Sequence, residues 1–331
     1  MEYTVILISI SVTLFLTYYI MPKVIRKMVQ ADICGNDVNK IDKPVVPEMG
    51  GIGAVLGFSL GLSLTIAILK YLDYIDAEPL LVSISVLCIA ALIGLLDDVS
   101  ILGRKEKAWF ISFASLPLII SQIGESEIDL LFFSINFNGE ILNLIFWIIV
   151  VPFGVTCCAN ALNMSAGYNG LESGQMVIIS LSMLLVSSIK NLDDTILMLW
   201  GGILGSSFGL YMFNKYPAKI FVGDVGTLGF GALIASTAIM SNQIMFGVIC
   251  IIPSFYELYS TIRYKFKGVE RRGACMNPQI TSEGILHPPK GSEDYTLSYL
   301  ILSYSPSNEK TLVNKILILY IFSGLIACLL A

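Results

Sequence analysis

The sequence predicts an all-α polytopic membrane protein with about ten transmembrane helices, polar cytoplasmic loops and a small external β-hairpin. Three observations predict it. Of 331 residues, 55% are hydrophobic and only 14% are charged, where a soluble domain of this length carries roughly a quarter charged residues. Mean hydropathy is +0.78, and the apolar residues fall in runs close to the roughly 17 to 25 that a spanning helix needs. With the runs alternating in direction, 18 of the 20 Lys and Arg side chains face one side and only Lys70 and Lys190 the other. Cytoplasmic loops show that asymmetry.

The ten segments are 4–21, 49–69, 80–96, 108–123, 141–158, 174–190, 194–213, 226–241, 243–262 and 314–331, within a single domain covering 1–331. The first is an anchor, not a cleavable signal: its start is acidic at Glu2 and its positive charges, Lys23, Arg26 and Lys27, follow it. The N-terminus is therefore expected outside. In the second segment Gly53, Gly57 and Gly61 share a face, which lets a neighbouring helix come close. The third ends in the paired carboxylates Asp97 and Asp98, and the fourth follows the basic stretch GRKEK. Asn138-Gly139, in FFSINFNGEILNL, is an external hairpin signal. Seven cysteines without CxxC spacing give no disulfide framework and no zinc or iron–sulfur site, so the vicinal Cys157 and Cys158 are read as small packing residues. Residues 263–313 form a long cytoplasmic loop containing the lone histidine, His287, for which a solvated loop role and a catalytic one are both open.

Chemistry concentrates on the inward side. Asp97 and Asp98 face each other at a helix C-terminus, near low-dielectric surroundings, so keeping both ionised needs a nearby cation. A hard divalent ion such as magnesium, which takes oxygen ligands, would serve. Asp224, in FVGDVGTLGFG, opens a helix and is either a second ligand or an ordinary cap. Its glycine spacing matches neither a Walker loop nor a dinucleotide fingerprint. Asn160, Asn163 and Asn169, with Gly167 and Gly170, suit a tight turn that also offers uncharged ligands.

Taken in order, GLLDDVSILGRKEK, NALNMSAGYNGLESGQ and FVGDVGTLGFG resemble the three signature regions of the polyprenyl-phosphate N-acetylhexosamine-1-phosphate transferases. The resemblance runs from KPVVPEMGGIGA to the last cytoplasmic loop. Ala166 before the first glycine resembles the dolichol branch, since the bacterial muramyl-pentapeptide branch usually has Asp there. The resemblance implies roles by position. Asp224 and Asn163 match magnesium ligands, with manganese as a substitute, and Asp97 and Asp98 match the paired aspartates near metal and acceptor phosphate. Lys107 matches a phosphate-contacting lysine, Asn169 and Phe221 match residues that hold uracil, and Glu48 matches an active-site glutamate. Asn160, Arg271, Arg272 and His287 are further substrate-binding candidates. Where some relatives have an acid or amide three residues after the pair, this chain has Ile101.

The implied reaction moves GlcNAc-1-phosphate from UDP-GlcNAc to dolichyl phosphate, the first committed step of lipid-linked glycan assembly. The expected partners are therefore UDP-GlcNAc, dolichyl phosphate and membrane lipid, with no nucleic acid and a homodimer conceivable through the glycine faces. The site would open on the cytoplasmic face of an archaeal plasma membrane, or of the endoplasmic reticulum in a eukaryote. Two alternatives are the same chemistry with another UDP-N-acetylhexosamine and, in a different class, an ion-coupled secondary transporter. Transporters place acids near the midplane, and here only Glu257 falls inside a segment.

Overall fold

A computed structural model describes residues 2–71, 76–100, 103–266, 277–289 and 296–331. Ile101, Arg271 and Arg272 lie outside the described residues. The chain is mostly helical. In order, the helices are α1 (Glu2–Gln30), α2 (Gly51–Tyr71), α3 (Glu78–Ser100), α4 (Arg104–Ser112), α5 (Leu116–Ser121), α6 (Glu140–Ile145), α7 (Val151–Met164), α8 (Leu171–Ile189), α9 (Asp194–Asn214) and α10 (Asp224–Met240). There follow α11 (Ile244–Cys250), α12 (Ile252–Phe266), α13 (Leu297–Tyr304) and α14 (Glu309–Leu330). Three two-stranded antiparallel hairpins join them: β1 (Cys34–Asn36) with β2 (Val45–Pro47), β3 (Glu127–Leu130) with β4 (Phe133–Asn136), and β5 (Gln279–Ile280) with β6 (Leu286–His287).

Among the described residues, seven stretches are long and apolar enough to cross a membrane, or eight if a bent pair counts as one, which makes the chain an integral membrane protein. They coincide with seven of the ten segments expected. Three others differ for local reasons. Segment 108–123 is split into α4, a 3-10 turn (Phe113–Ser115) and α5. Ser112 and Ser115 donate to main-chain carbonyls at 2.6 Å, and Pro117 has no N–H to continue the ladder. Segment 243–262 is α11 and α12, bent by 75°. The break falls at Ile251, just before Pro253. Segment 226–241 is α10, whose 17 residues reach only about 25 Å at 1.5 Å per residue.

α10 is the centre of the molecule. Every residue from Val225 to Met240 is buried, and α2, α3 and α7 all pack on it. Small side chains allow that approach. A Cβ on Gly51 of α2 would lie 2.3 Å from the Gly226 backbone, one on Gly94 of α3 would lie 2.4 Å from the Asp224 carbonyl oxygen, and one on Gly231 would lie 2.6 Å from the Ala159 Cα of α7. The GxxGxxGxG spacing that matched no phosphate loop is therefore a packing surface, except at Gly223, where φ is +76° and a side chain would be strained. Gly53, Gly57 and Gly61 do face one neighbour, meeting Met21, Thr17 and Thr13 of α1.

A hairpin forms in this region, but its turn is Leu131-Phe132, and not the expected Asn138-Gly139. Gly139, with φ of +92°, instead turns the chain into α6.

Replacing Gly51 with Ala forces α2 away from α10. We expect a loss of about 1–3 kcal/mol, the usual effect of overpacking, read as a lower melting temperature in detergent. Gly154→Ala is the control, since its Cβ meets nothing within 4 Å, and it should not lower the melting temperature.

Candidate active site at four helix ends

The paired aspartates sit on the last turn of α3, Lys107 on the first turn of α4, Asn163 near the end of α7 and Asp224 at the start of α10. These ends converge on one cation. The Lys107 ammonium donates to Asp97 Oδ2 at 2.7 Å, to Asn163 Oδ1 at 3.3 Å, and to Asp224 Oδ2 in a very close contact. Asn163 Nδ2 in turn donates to Asp224 Oδ1 at 2.7 Å and to Thr227 Oγ1 at 2.8 Å. Its orientation is thereby fixed, with its oxygen toward the ammonium.

Asp98 plays a different part from Asp97. Its two carboxylate oxygens accept from the backbone N–H of Asp224 at 2.9 Å and of Val225 at 3.0 Å. It thus caps α10 from another helix, satisfying donors that a helix start leaves free. Gly223 is required here as well, since a Cβ would lie 2.8 Å from Asp98 Oδ2. Glu48 stands behind Asp98 with its carboxylate filling the space beside Gly35. Burial, reinforced by the negative charge of Asp98, holds the Glu48 carboxyl above the usual carboxylate range. The loop carrying Glu48 is stitched to the one carrying Phe221: Phe221 N–H donates to the Pro47 carbonyl at 2.8 Å and Gly50 N–H to the Phe221 carbonyl at 2.7 Å.

Asn169 belongs to a second, buried network. Its oxygen accepts from Lys40 Nζ at 3.0 Å and from Ala218 N–H at 2.6 Å, and its amide nitrogen donates to Asp37 at 3.0 Å and Glu309 at 2.8 Å. Only 3% of the residue is exposed. All four hydrogen-bonding positions of the amide are thus taken. Lys40 pairs with both Asp37 and Glu309, and Asn39 Nδ2 donates to the Gly167 carbonyl at 2.8 Å. Asp37, Asn39, Lys40, Thr227 and Glu309 were not singled out by sequence reasoning. Glu309 alone left a signal, an acid in the first turn of an apolar helix after the cap Asn308.

Asn160 does not join either network through its amide nitrogen, which donates to Thr156 O on its own helix at 2.8 Å. His287 lies in β6, paired in register with Gln279. Glu106, which carries no motif role in the sequence, accepts from Gly103 N–H at 3.0 Å and so fixes the turn that bears Lys107. Glu257 accepts from Leu297 N–H at 2.7 Å and caps α13, which gives that intrasegment acid a structural use.

One cavity borders these networks and a second lies further along α7 and α10. The first, of about 260 Å³ and lined by Asn39, Ser165, Gly167, Tyr168, Glu257 and Ser298 among others, lies beside the turn that follows Asn163. The other, about 340 Å³, is apolar and runs between α7, α10 and the bent α11–α12 pair, past Val151, Cys158, Ala238, Ile251 and Phe255.

The cation-bridged carboxylates define the class: a membrane protein built to hold anionic oxygens at the ends of its helices. The sequence profile described as glycosyl transferase family 4 matches residues 80–242, which span Asp97 to Asp224. A Saccharolobus solfataricus protein provisionally named a UDP-N-acetylglucosamine–dolichyl-phosphate N-acetylglucosaminephosphotransferase is 39% identical over 274 residues, covering 81% of each chain. A Methanocaldococcus jannaschii protein provisionally named a glycosyltransferase is 31% identical over 100% of this chain and 98% of its own. A Wolbachia phospho-N-acetylmuramoyl-pentapeptide-transferase is 27% identical over 71% of this chain and 73% of its own. The chain belongs to glycosyl transferase family 4, within the polyprenyl-phosphate N-acetylhexosamine-1-phosphate transferases. It is a transferase of the membrane.

Because Asp98 caps α10, Asp98→Asn leaves one oxygen for two donors. We expect a stability loss of about 1 kcal/mol and reduced turnover with an unshifted pH profile. A change in the shape of the pH profile would make Asp98 a proton-transfer group instead.

Proposed function

We propose that the protein transfers GlcNAc-1-phosphate from UDP-GlcNAc to dolichyl phosphate, releasing UMP, with its site on the cytoplasmic face of an archaeal plasma membrane and ten membrane-crossing segments. The observation that carries the reading is the meeting of Lys107 with Asp97, Asn163 and Asp224. Oxygen donors surround a position already occupied by positive charge. Among the described residues no three His, Cys, Asp and Glu side chains form a self-sufficient metal cage. Two carboxylates and an amide are nevertheless the sparse oxygen set that magnesium accepts, with substrate phosphates and water completing it. Magnesium, or manganese in its place, would be held by Asp224 and Asn163 and would neutralise charge on the diphosphate.

The chain's own groups do the rest. A phosphate monoester has a second pKa near 6, so the dolichyl phosphate oxygen arrives ionised and needs no strong base. That oxygen attacks the sugar-bearing phosphorus, the phosphorus–oxygen bond to UMP breaks, and UMP leaves with the electron pair. What the protein must supply is positioning and positive charge. Lys107, released from Asp224, is placed to meet phosphate oxygens, while Asp97 keeps the ammonium from drifting. Asp98 holds the start of α10, and hence Asp224, at a fixed depth.

The polar cavity beside Asn163 takes part of the sugar nucleotide. Asn169 and Phe221 hold the uracil, for which the Asn169 amide must exchange one of its partners, such as the Lys40 ammonium. Arg271, Arg272 and His287 remain the candidates around the sugar phosphate, and Asn160 a further substrate-binding candidate. The apolar groove along α7 and α10 takes the isoprenoid, its wall beginning at Cys158, five residues before Asn163.

Purified protein supplied with labelled UDP-GlcNAc, dolichyl phosphate and magnesium should form lipid-linked GlcNAc diphosphate, and tunicamycin should block it. Asp224→Asn and Lys107→Met should each lower turnover by about 10²–10³-fold, the scale seen when one charge-stabilising group is lost. Asp42→Asn, an exposed change in the first inward loop, should not. Failure with every UDP-N-acetylhexosamine would overturn the reaction, and product from UDP-GalNAc alone would overturn only the sugar.

A further inference from the structure

The β3–β4 hairpin is amphipathic to a degree that the catalytic reading does not use. Antiparallel register pairs Leu130 with Phe133 and Ile128 with Ile135, and it pairs Asp129 with Ser134 and Glu127 with Asn136. Directly opposed residues share a face and residues two apart along a strand do as well. One face is therefore Ile128, Leu130, Phe133 and Ile135, and the other is Glu127, Asp129, Ser134 and Asn136. The polar face is internally bonded, with Ser134 Oγ donating to Asp129 at 3.2 Å.

The β4 half of the apolar face is not covered by protein, whereas Ile128 on β3 packs against the core. Phe133 is 62% exposed and Ile135 43%, and the turn residue Phe132 is 94% exposed. A soluble surface rarely leaves such a cluster open unless something meets it. Its surroundings say what does. The hairpin leads straight into the spanning stretch Glu140–Met164, where Ile141 and Leu144 are also exposed, at 75% and 57%. A spanning helix exposes such residues to lipid. Ile128, on the same hairpin face, lines the outer end of the apolar groove between α7, α10 and α11. The hairpin face thus continues the lipid-facing surface of its neighbours. It lies at the far end of a 25-residue span from Asn163, on the membrane side opposite the site.

We propose that this hairpin lies along the membrane boundary with Phe132, Phe133 and Ile135 among phospholipid acyl chains and Asp129 and Ser134 facing water. Aromatic side chains favour that depth, and the outer strand edges, whose N–H and C=O groups have no partner strand among the described residues, keep the backbone at the hydrated boundary while the side chains reach inward. The partner is the phospholipid of the leaflet opposite the catalytic side.

The test places tryptophan at Phe132 or at Ser134 and reconstitutes the full chain in nanodiscs whose phospholipid is brominated on its acyl chains. After subtraction of the wild-type emission, F132W should lose most of its added fluorescence to the bromines and almost none to aqueous iodide, with S134W showing the reverse. Equal iodide quenching of the two variants would overturn the proposal. Shielding of F132W from both quenchers, with chains cross-linking through the hairpin, would overturn it in favour of self-association. Should either variant fail to fold, the unmodified protein can be photolabelled by a phospholipid with a diazirine on its acyl chain. Label on the 127–138 peptide supports the proposal, and label on 140–164 without it contradicts the proposal.

Discussion

The structure depends on one ammonium group. Lys107 touches Asp97, Asp224 and Asn163, and those residues come from the ends of three different helices. Two carboxylates about 4 Å apart repel by on the order of 4 kcal/mol at an effective dielectric of about 20, comparable to a large share of a domain's net stability. Without a cation between them the ends of α3 and α10 would move apart or give up charge. With it, both carboxylates are held against one ammonium. The same charge that stabilises the fold is the charge available to the reaction.

The position of α10 follows from that constraint together with its small residues. Complete burial from Val225 to Met240 leaves the helix no freedom to slide, and Asp98 fixes its first turn through two backbone bonds. Adjacent aspartates therefore divide the work: Asp97 balances Lys107, and Asp98 sets where Asp224 stands. The Asn169 network joins a second set of segments as Lys107 joins the helix ends. It ties the first inward loop, the turn after α7, the Ala218 backbone and the start of α14 into one block.

Much of this was legible in the sequence because it rests on composition and on side-chain type at fixed spacing. Apolar runs and the segregation of Lys and Arg marked the membrane segments, and Asp97, Asn163 and Asp224 stood out as polar groups at the ends of such runs. The parts that were not legible depend on long-range contact. Nothing local distinguishes Asp98 from Asp97, since what separates them is the approach of Gly223. Lys40 and Glu309 meet from positions 40 and 309, a pairing no window reveals. The bend before Pro253 was readable, since a proline inside an apolar run breaks its hydrogen-bond ladder, but periodicity alone gave one straight segment. The hairpin turn was misplaced because Asn-Gly favours a hairpin in general, whereas here Gly139 supplies the positive φ that opens α6.

The most direct test of the central claim is metal binding itself. Manganese titrated into the purified chain with UDP-GlcNAc present, and followed by electron paramagnetic resonance, should reveal a saturable site in the wild type. Asp224→Asn should abolish that site while the protein remains folded by melting temperature. Manganese bound as tightly to the variant as to the wild type would contradict the account, because the carboxylate opposite Lys107 would then have no part in holding the cation.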